Sequence, residues 1–229
     1  MKQFQYPHKI EAIYFDFDGV VVDTEPLYEE AGRELLKSLN LDPVEDFLQS
    51  SKGLSEFDYF SKLIDAFNLE ISLDEIQAQG RKILCSTFNR EIPYVDGFYP
   101  FFQSFKSILN MGLVTATRGA FLNQIIGNLT IHNQFDLIVD GDAVQHSKPH
   151  PEPYALACKK MGLNPKNVMV IEDSIPGTSS AFAAGCLTIG ITTSYSKKEL
   201  INTHLVVDSF KELSQFLHTM NLERKNELV

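Results

Sequence analysis

The chain has 229 residues, with 30 Asp and Glu against 20 Lys and Arg, a net charge of −10, and 44% hydrophobic and 22% charged residues. This composition excludes wholesale disorder and predicts one large domain, or a domain carrying a smaller inserted one. There is no Lys/Arg cluster of the kind nucleic acid demands and no uncharged apolar run of the ~18 residues that span a bilayer, so neither is an expected partner.

In chain order, residues 12–15 are a short apolar run ending in Asp16 and followed by Gly19, the pattern of a buried strand delivering carboxylates at its carboxyl end. From about 25 to 88 the spacing becomes helical, with Leu27, Ala31, Leu35, Leu36 and Leu39, then Phe57, Phe60, Leu63, Ile64 and Phe67 at three-and-four intervals. Residues 24–97 hold 7 basic and 15 acidic side chains, so most of the charge excess lies in this stretch. The segment IPYVDGFYPF, with Pro93, Gly97 and Pro100, breaks the helical pattern and is read as a linker. These shifts predict an all-helical insert over 24–97 within a domain formed by 1–23 and 98–229.

Helices and strands then alternate. Strands are predicted at 112–115, 137–139, 168–171, 187–191 and near 205–207, with helices at 101–109, 121–129, 151–161, 179–184 and 210–220. Strands joined by helices imply right-handed crossovers, hence an α/β fold with a parallel sheet and helices on both faces. Ligands of such sheets lie beyond the carboxyl ends of the strands.

The residues at those ends are Asp16 and Asp18, Thr115, and Glu172 with Asp173, while Lys148 stands in a loop between. Carboxylates gathered in one crevice repel unless they share a cation, and an all-oxygen site completed by water and phosphate favours Mg2+. A cation, a lysine, a threonine hydroxyl and exposed backbone amides form a cradle for a phosphoryl group. One carboxylate can then attack phosphorus in line, and a second, two residues on, can protonate the leaving oxygen and later deprotonate water. Asp16 and Asp18 have that spacing.

YFDFDGVVVDTEP, LVTAT, SKPHPEPY and VIEDSIPGTSSAFAAG, in that order, resemble the four motifs of the haloacid dehalogenase superfamily over nearly the whole chain. The branch it resembles is that of beta-phosphoglucomutase and phosphoglycolate phosphatase, whose helical cap lies between the first and second motifs. The resemblance implies a Rossmann-like core and a cap over 24–97. It further implies Asp16 as nucleophile, Asp18 as general acid/base, Thr115 as phosphate ligand and Lys148 as the cation bridging nucleophile and phosphate. For Mg2+ it implies Asp16, the Asp18 carbonyl and Asp173 as ligands, with Glu172 as a partner in ligation or orientation. Ala116 follows the second-motif threonine where Asn or Ser is common, and its backbone amide remains a phosphate donor.

The sugar phosphomutases of this branch place a His where this chain has Tyr28, and a phosphate-binding Arg where SSKGLSE has Glu56, which weakens a mutase reading against a phosphatase one. Lys52 in that segment is a candidate substrate contact. A receiver-like phospho-binding switch gathers similar residues, but such domains are shorter and lack a cap. Asp23, Asp140 and Asp142 suit a turn or helix end as well as a ligand contact. The six His show no metal spacing, and His146 and His150 are read as loop surface. Cys85, Cys158 and Cys186 form neither a disulfide framework nor a zinc pattern and are read as buried thiols. A cytoplasmic monomer or weak dimer acting on a small phosphorylated metabolite is expected.

Overall fold

The computed structural model describes residues 9–42, 44–51, 56–88, 92–127, 129 and 131–218. The chain divides into two compact units, Met1–Asp23 with Ile92–Val229, and Thr24–Glu91.

The first unit is built on six parallel strands: β1 (Ala12–Phe15), β2 (Asn110–Val114), β3 (Leu137–Val139), β4 (Val168–Glu172), β5 (Leu187–Ile191) and β6 (Leu205–Val207). Their spatial order is β3-β2-β1-β4-β5-β6. The chain runs outward from β1 on one side through β2 and β3, then returns to β1's other side with β4. Phe15 aligns with Leu113 of β2 and Ile171 of β4, so the three strands end nearly level. Asp16, Thr115 and Asp173 therefore emerge at one edge, at the point where strand order reverses and ligands of open α/β sheets bind.

Alternation along β1 assigns its two faces. Ala12 and Tyr14 pack in a buried cluster with Tyr154, Ala157 and Cys158 of α7 (Glu152–Met161) and Ala181 of α8 (Ile175–Ala183). Phe15 points the other way, with ring centroids 5.4 Å from Phe98 and 6.2 Å from Phe101 of α5 (Phe98–Phe105). Phe101 in turn lies 5.1 Å from Phe210 of α9 (Phe210–His218). Helices thus cover both faces of the sheet, and the strands carry no solvent-facing polar stripe. A further helix, α6 (Gly119–Ile126), follows β2.

Helix ends follow local chemistry. The Ser174 hydroxyl accepts from Gly177 N–H at 3.1 Å and starts α8. Gly162, with φ 67°, stops α7, and the Leu163 N–H donates to the Cys158 carbonyl in the manner of a left-handed C-cap.

Within the second unit, α1 (Glu25–Ser38), α2 (Glu45–Gln49), α3 (Glu56–Phe67) and α4 (Leu73–Phe88) surround a separate core of Leu35, Leu36, Phe47, Leu48, Phe60, Leu63 and Ile76. Ser72 and Glu75 cap α4 reciprocally: Glu75 N–H donates to the Ser72 hydroxyl at 3.3 Å, and Ser72 N–H to the Glu75 carboxylate at 3.1 Å.

Two features of the 92–105 segment differ from the sequence reading. Residues 92–97 lie with the sheet unit rather than the insert, held by Asp23 N–H to the Pro93 carbonyl at 2.9 Å and Val95 N–H to the Val21 carbonyl at 3.2 Å. Pro100 lies inside α5 rather than in a linker. It falls in the first turn, where the N–H has no intrahelical partner to lose.

Candidate active site

The turn after β1 sets the first two carboxylates. Val20, Val21 and Val22 direct their N–H groups toward the Phe17 carbonyl, and Gly19 takes φ 73°. A Cβ at Gly19 would overlap the Asp173 carboxylate, so both the backbone angle and the space require glycine. Asp16 is 9% exposed and Asp173 4%, while Glu172, the last residue of β4, is fully buried. Asp18 is half-buried, and its Oδ2 accepts from the Thr117 hydroxyl at 3.0 Å.

Lys148 links three strand ends. Its Nζ donates to Asp16 Oδ1 at 2.5 Å, to Glu172 Oε1 at 2.6 Å and to the Val114 carbonyl at 3.0 Å, which uses all three ammonium hydrogens. The lysine side chain is 7% exposed and lies 5.1 Å from the centre of the Tyr154 ring. Burial alone would push the ammonium down; Asp16 and Glu172 outweigh it and hold it above the ordinary lysine range.

Both oxygens of Glu172 are engaged. Oε1 also accepts from the Tyr154 hydroxyl at 2.7 Å, and Oε2 accepts from the Ser174 hydroxyl at 3.1 Å. A Cβ on Gly177 would overlap this carboxylate, so the first turn of α8 closes around it. Glu172 therefore anchors Lys148.

Burial pushes the Asp16 carboxyl well above the ordinary carboxylate range; Lys148 pulls it back, and the charges of Glu172, Asp173 and Asp18 push it further up. Burial and then Glu172 raise Asp173 to about 7, against the hydrogen bond from Ser194. Two carboxyls so disposed to hold protons form a site that a cation would relieve. Oxygens of Asp16, Glu172 and Asp173 all lie within 4.8 Å of one another. Octahedral Mg2+ at 2.0–2.1 Å from its ligands separates them by roughly 2.9 to 4.2 Å, and the all-oxygen donor set is of the right hardness, so Asp16 and Asp173 fit the ion. Glu172, with Oε1 on Lys148 and Tyr154 and Oε2 on Ser174, fits the orienting role rather than ligation.

The structure thus brings Asp16, Asp18, Thr115, Lys148, Glu172 and Asp173 to one sheet edge. Thr115, 3% exposed, accepts the Thr117 N–H at 3.0 Å through its hydroxyl, and Ala116 beside it is exposed. Asp140 and Asp142 hold a turn instead: Asp140 accepts from the N–H groups of Asp142 and Ala143, and Asp142 from that of Gly119. Asp23 is exposed. Lys52 lies outside the described residues.

Four supporting residues escaped the sequence reading: Thr117, Tyr154, Thr193 and Ser194. Ser194 donates to Asp173 Oδ2 at 2.5 Å and Thr193 to the Gly19 carbonyl at 2.6 Å, so the loop after β5 braces both the acid and the glycine turn. Thr117 stands in a motif already singled out. Tyr154 likewise closes the quoted SKPHPEPY motif. Nothing in the local sequence marks Thr193 or Ser194, whose partners lie 174 and 21 positions away.

A family model described as haloacid dehalogenase-like hydrolase matches residues 13–191. A phosphorylated carbohydrates phosphatase of Thermotoga maritima is 32% identical over 179 residues, covering 77% of this chain and 82% of that protein. A phosphoglycolate phosphatase of Salmonella typhi is 35% identical over 125 residues, which span 52% of this chain and half of that enzyme. Among solved structures, one from Thermotoga maritima described as a candidate beta-phosphoglucomutase superposes with a TM-score of 0.83 at 28% identity, over 93% of this chain and all of its own. A family model that spans most of the chain, with a relative 32% identical over 77% of it, shows that the chain belongs to the haloacid dehalogenase-like hydrolases.

Proposed function

We propose that this chain is a Mg2+-dependent phosphatase that hydrolyses a small organic phosphate monoester, of the sugar phosphate or phosphoglycolate type, through an aspartyl phosphate on Asp16. The observation that carries this reading is Lys148 spanning Asp16 and Glu172, a buried cation fixed beside the proposed nucleophile. The relatives named as phosphatases support the reaction class.

Mg2+ held by Asp16, the Asp18 carbonyl and Asp173 supplies charge neutralisation for the phosphoryl oxygens and keeps the acids ionised. The Asp16 carboxylate attacks phosphorus as the bond to the ester oxygen breaks, and Asp18 gives that oxygen its proton. Asp18 then takes a proton from water, whose oxygen attacks the phosphorus of the aspartyl phosphate and releases phosphate and free Asp16. The Thr117 hydroxyl orients Asp18 for both transfers. The Thr115 hydroxyl and the Ala116 N–H bind phosphoryl oxygens, and Lys148 balances charge on Asp16. Glu172 acts by holding Lys148, and the helical insert serves as the cap that selects the organic part of the substrate.

Purified protein with Mg2+, assayed for phosphate release against sugar phosphates, phosphoglycolate and nucleotides, tests the proposal. The expected results are loss of turnover in Asp16→Asn and, in the wild type, loss of turnover on chelation with recovery when Mg2+ is restored. Undiminished turnover in Asp16→Asn would overturn the nucleophile assignment. Interconversion of sugar monophosphates that needs glucose 1,6-bisphosphate and releases no phosphate would replace the phosphatase by a mutase, the reading that the structural neighbour's description favours.

A further inference from the structure

The loop that delivers Lys148 carries a second group of ligating side chains, distinct from the acid cluster. His146 Nδ1 lies 2.9 Å from Glu152 Oε2, and His150 Nδ1 lies 3.9 Å from the same oxygen. One ligand atom from each of the three residues falls within 4.8 Å of the others. The imidazole centroids are 4.6 Å apart, with the rings inclined at 33°.

The group is held in place. Glu152 accepts from the backbone N–H of Gln145 at 2.8 Å and of His146 at 3.0 Å. Those bonds, the Gln145 one foremost, hold its carboxyl below the ordinary range, so it is an anion at neutral pH. The carbonyl of His150 accepts from the buried Ser180 hydroxyl at 2.6 Å, which ties the second histidine to α8. The His146 and His150 side chains are 62% and 51% exposed, open to a hydrated ion.

We propose that His146, His150 and Glu152 form a separate site that binds one Zn2+ ion through two imidazole nitrogens and one carboxylate oxygen. Mixed nitrogen and oxygen ligation suits Zn2+ and disfavours Mg2+, which takes oxygen donors. Tetrahedral Zn2+ at about 2.0–2.1 Å sets its ligands about 3.3 Å apart, and the two imidazole-to-carboxylate distances, 2.9 and 3.9 Å, fall on either side of that spacing. His150 Nδ1 accepts the Glu152 N–H at 3.2 Å and exchanges that bond for the ion. Three protein ligands leave a fourth position to water. The spacing His-x3-His-x-Glu matches no familiar zinc signature; the group arises because the loop turns back on the first residue of α7. An ion bound there ties together the residues on both sides of Lys148.

Calorimetric titration of the full-length protein with Zn2+, in excess Mg2+, tests the site on wild type, on His150→Ala and on the double variant His146→Ala/His150→Ala, with circular dichroism to verify folding. Loss of an outer partner alone weakens metal affinity about 10- to 100-fold, so His150→Ala should lose at least that much and the double variant should lose the isotherm. Asp173→Asn, which weakens the acid cluster, should keep it. Wild type that takes up no Zn2+ overturns the site. So do unchanged affinity in the two folded histidine variants and an isotherm that vanishes only in Asp173→Asn.

Discussion

Tyr154 donates its hydroxyl to Glu172 at 2.7 Å, on the same carboxylate oxygen that receives the Lys148 ammonium at 2.6 Å. A buried tyrosine from α7 thereby fixes the carboxylate that fixes the lysine. Burial and the Glu172 charge push the phenol well above its ordinary range, so it stays a proton donor at every working pH. Tyr154→Phe keeps the ring against Lys148 and removes only the donor. A hydrogen bond to a charged group contributes roughly 1.5–3 kcal/mol, and a loss of that size in urea denaturation is expected; an unchanged midpoint would show that Glu172 does not depend on the tyrosine.

Lys148→Met should cost more. It leaves Asp16 and Glu172 buried without their cation, and breaking a buried pair costs about 3–5 kcal/mol. Denaturant midpoints should fall accordingly, and phosphate release should be lost with them. A Met variant as stable as wild type would mean that the two acids are neutral or rehydrated when the lysine is gone.

Gly177→Ala probes the same carboxylate from behind. The new methyl overlaps Glu172 and must displace it, and overpacking of this kind costs typically about 1–3 kcal/mol. Since Glu172 carries Lys148, turnover should fall together with stability. Full activity in the alanine variant would show that the carboxylate has room to shift without moving the lysine.

A pH effect is expected far from the acids. His204 exchanges two hydrogen bonds with Thr188: its N–H donates to the Thr188 carbonyl at 2.8 Å, and its ring Nδ1 accepts the Thr188 N–H at 3.0 Å. Nδ1 must be unprotonated to accept, and burial lowers the ring below its ordinary value of 6.5. The unfolded chain therefore binds the proton first, so this contribution is complete above 6.5 and declines as pH falls through the folded value. Denaturation from pH 7 to 5 should give a shallower slope for His204→Asn than for wild type; parallel slopes would remove the histidine from the account.

Much of the sheet unit was legible because its signals are local. Apolar runs punctuated by Asp16, Thr115 and Glu172 mark the ends of β1, β2 and β4, and the same positions meet at one sheet edge. Boundaries were less legible where one residue type serves two contexts. Pro100 breaks a helix interior but is tolerated in a first turn, so its presence read as a linker while α5 ran through it.

By itself the sequence determined the strand and helix order, the helical insert and the identity of the acids, because periodicity and motif spacing act over a few residues. Tertiary structure decided which groups touch. Lys148 meets Glu172 across 24 positions and Asp16 across 132, and Ser194 reaches Asp173 across 21. His146 finds Glu152 only because the loop folds back. Such contacts depend on strand register and on the direction each side chain takes at a level sheet edge. Both are fixed by packing of the two faces of β1, and no stretch of sequence encodes them alone.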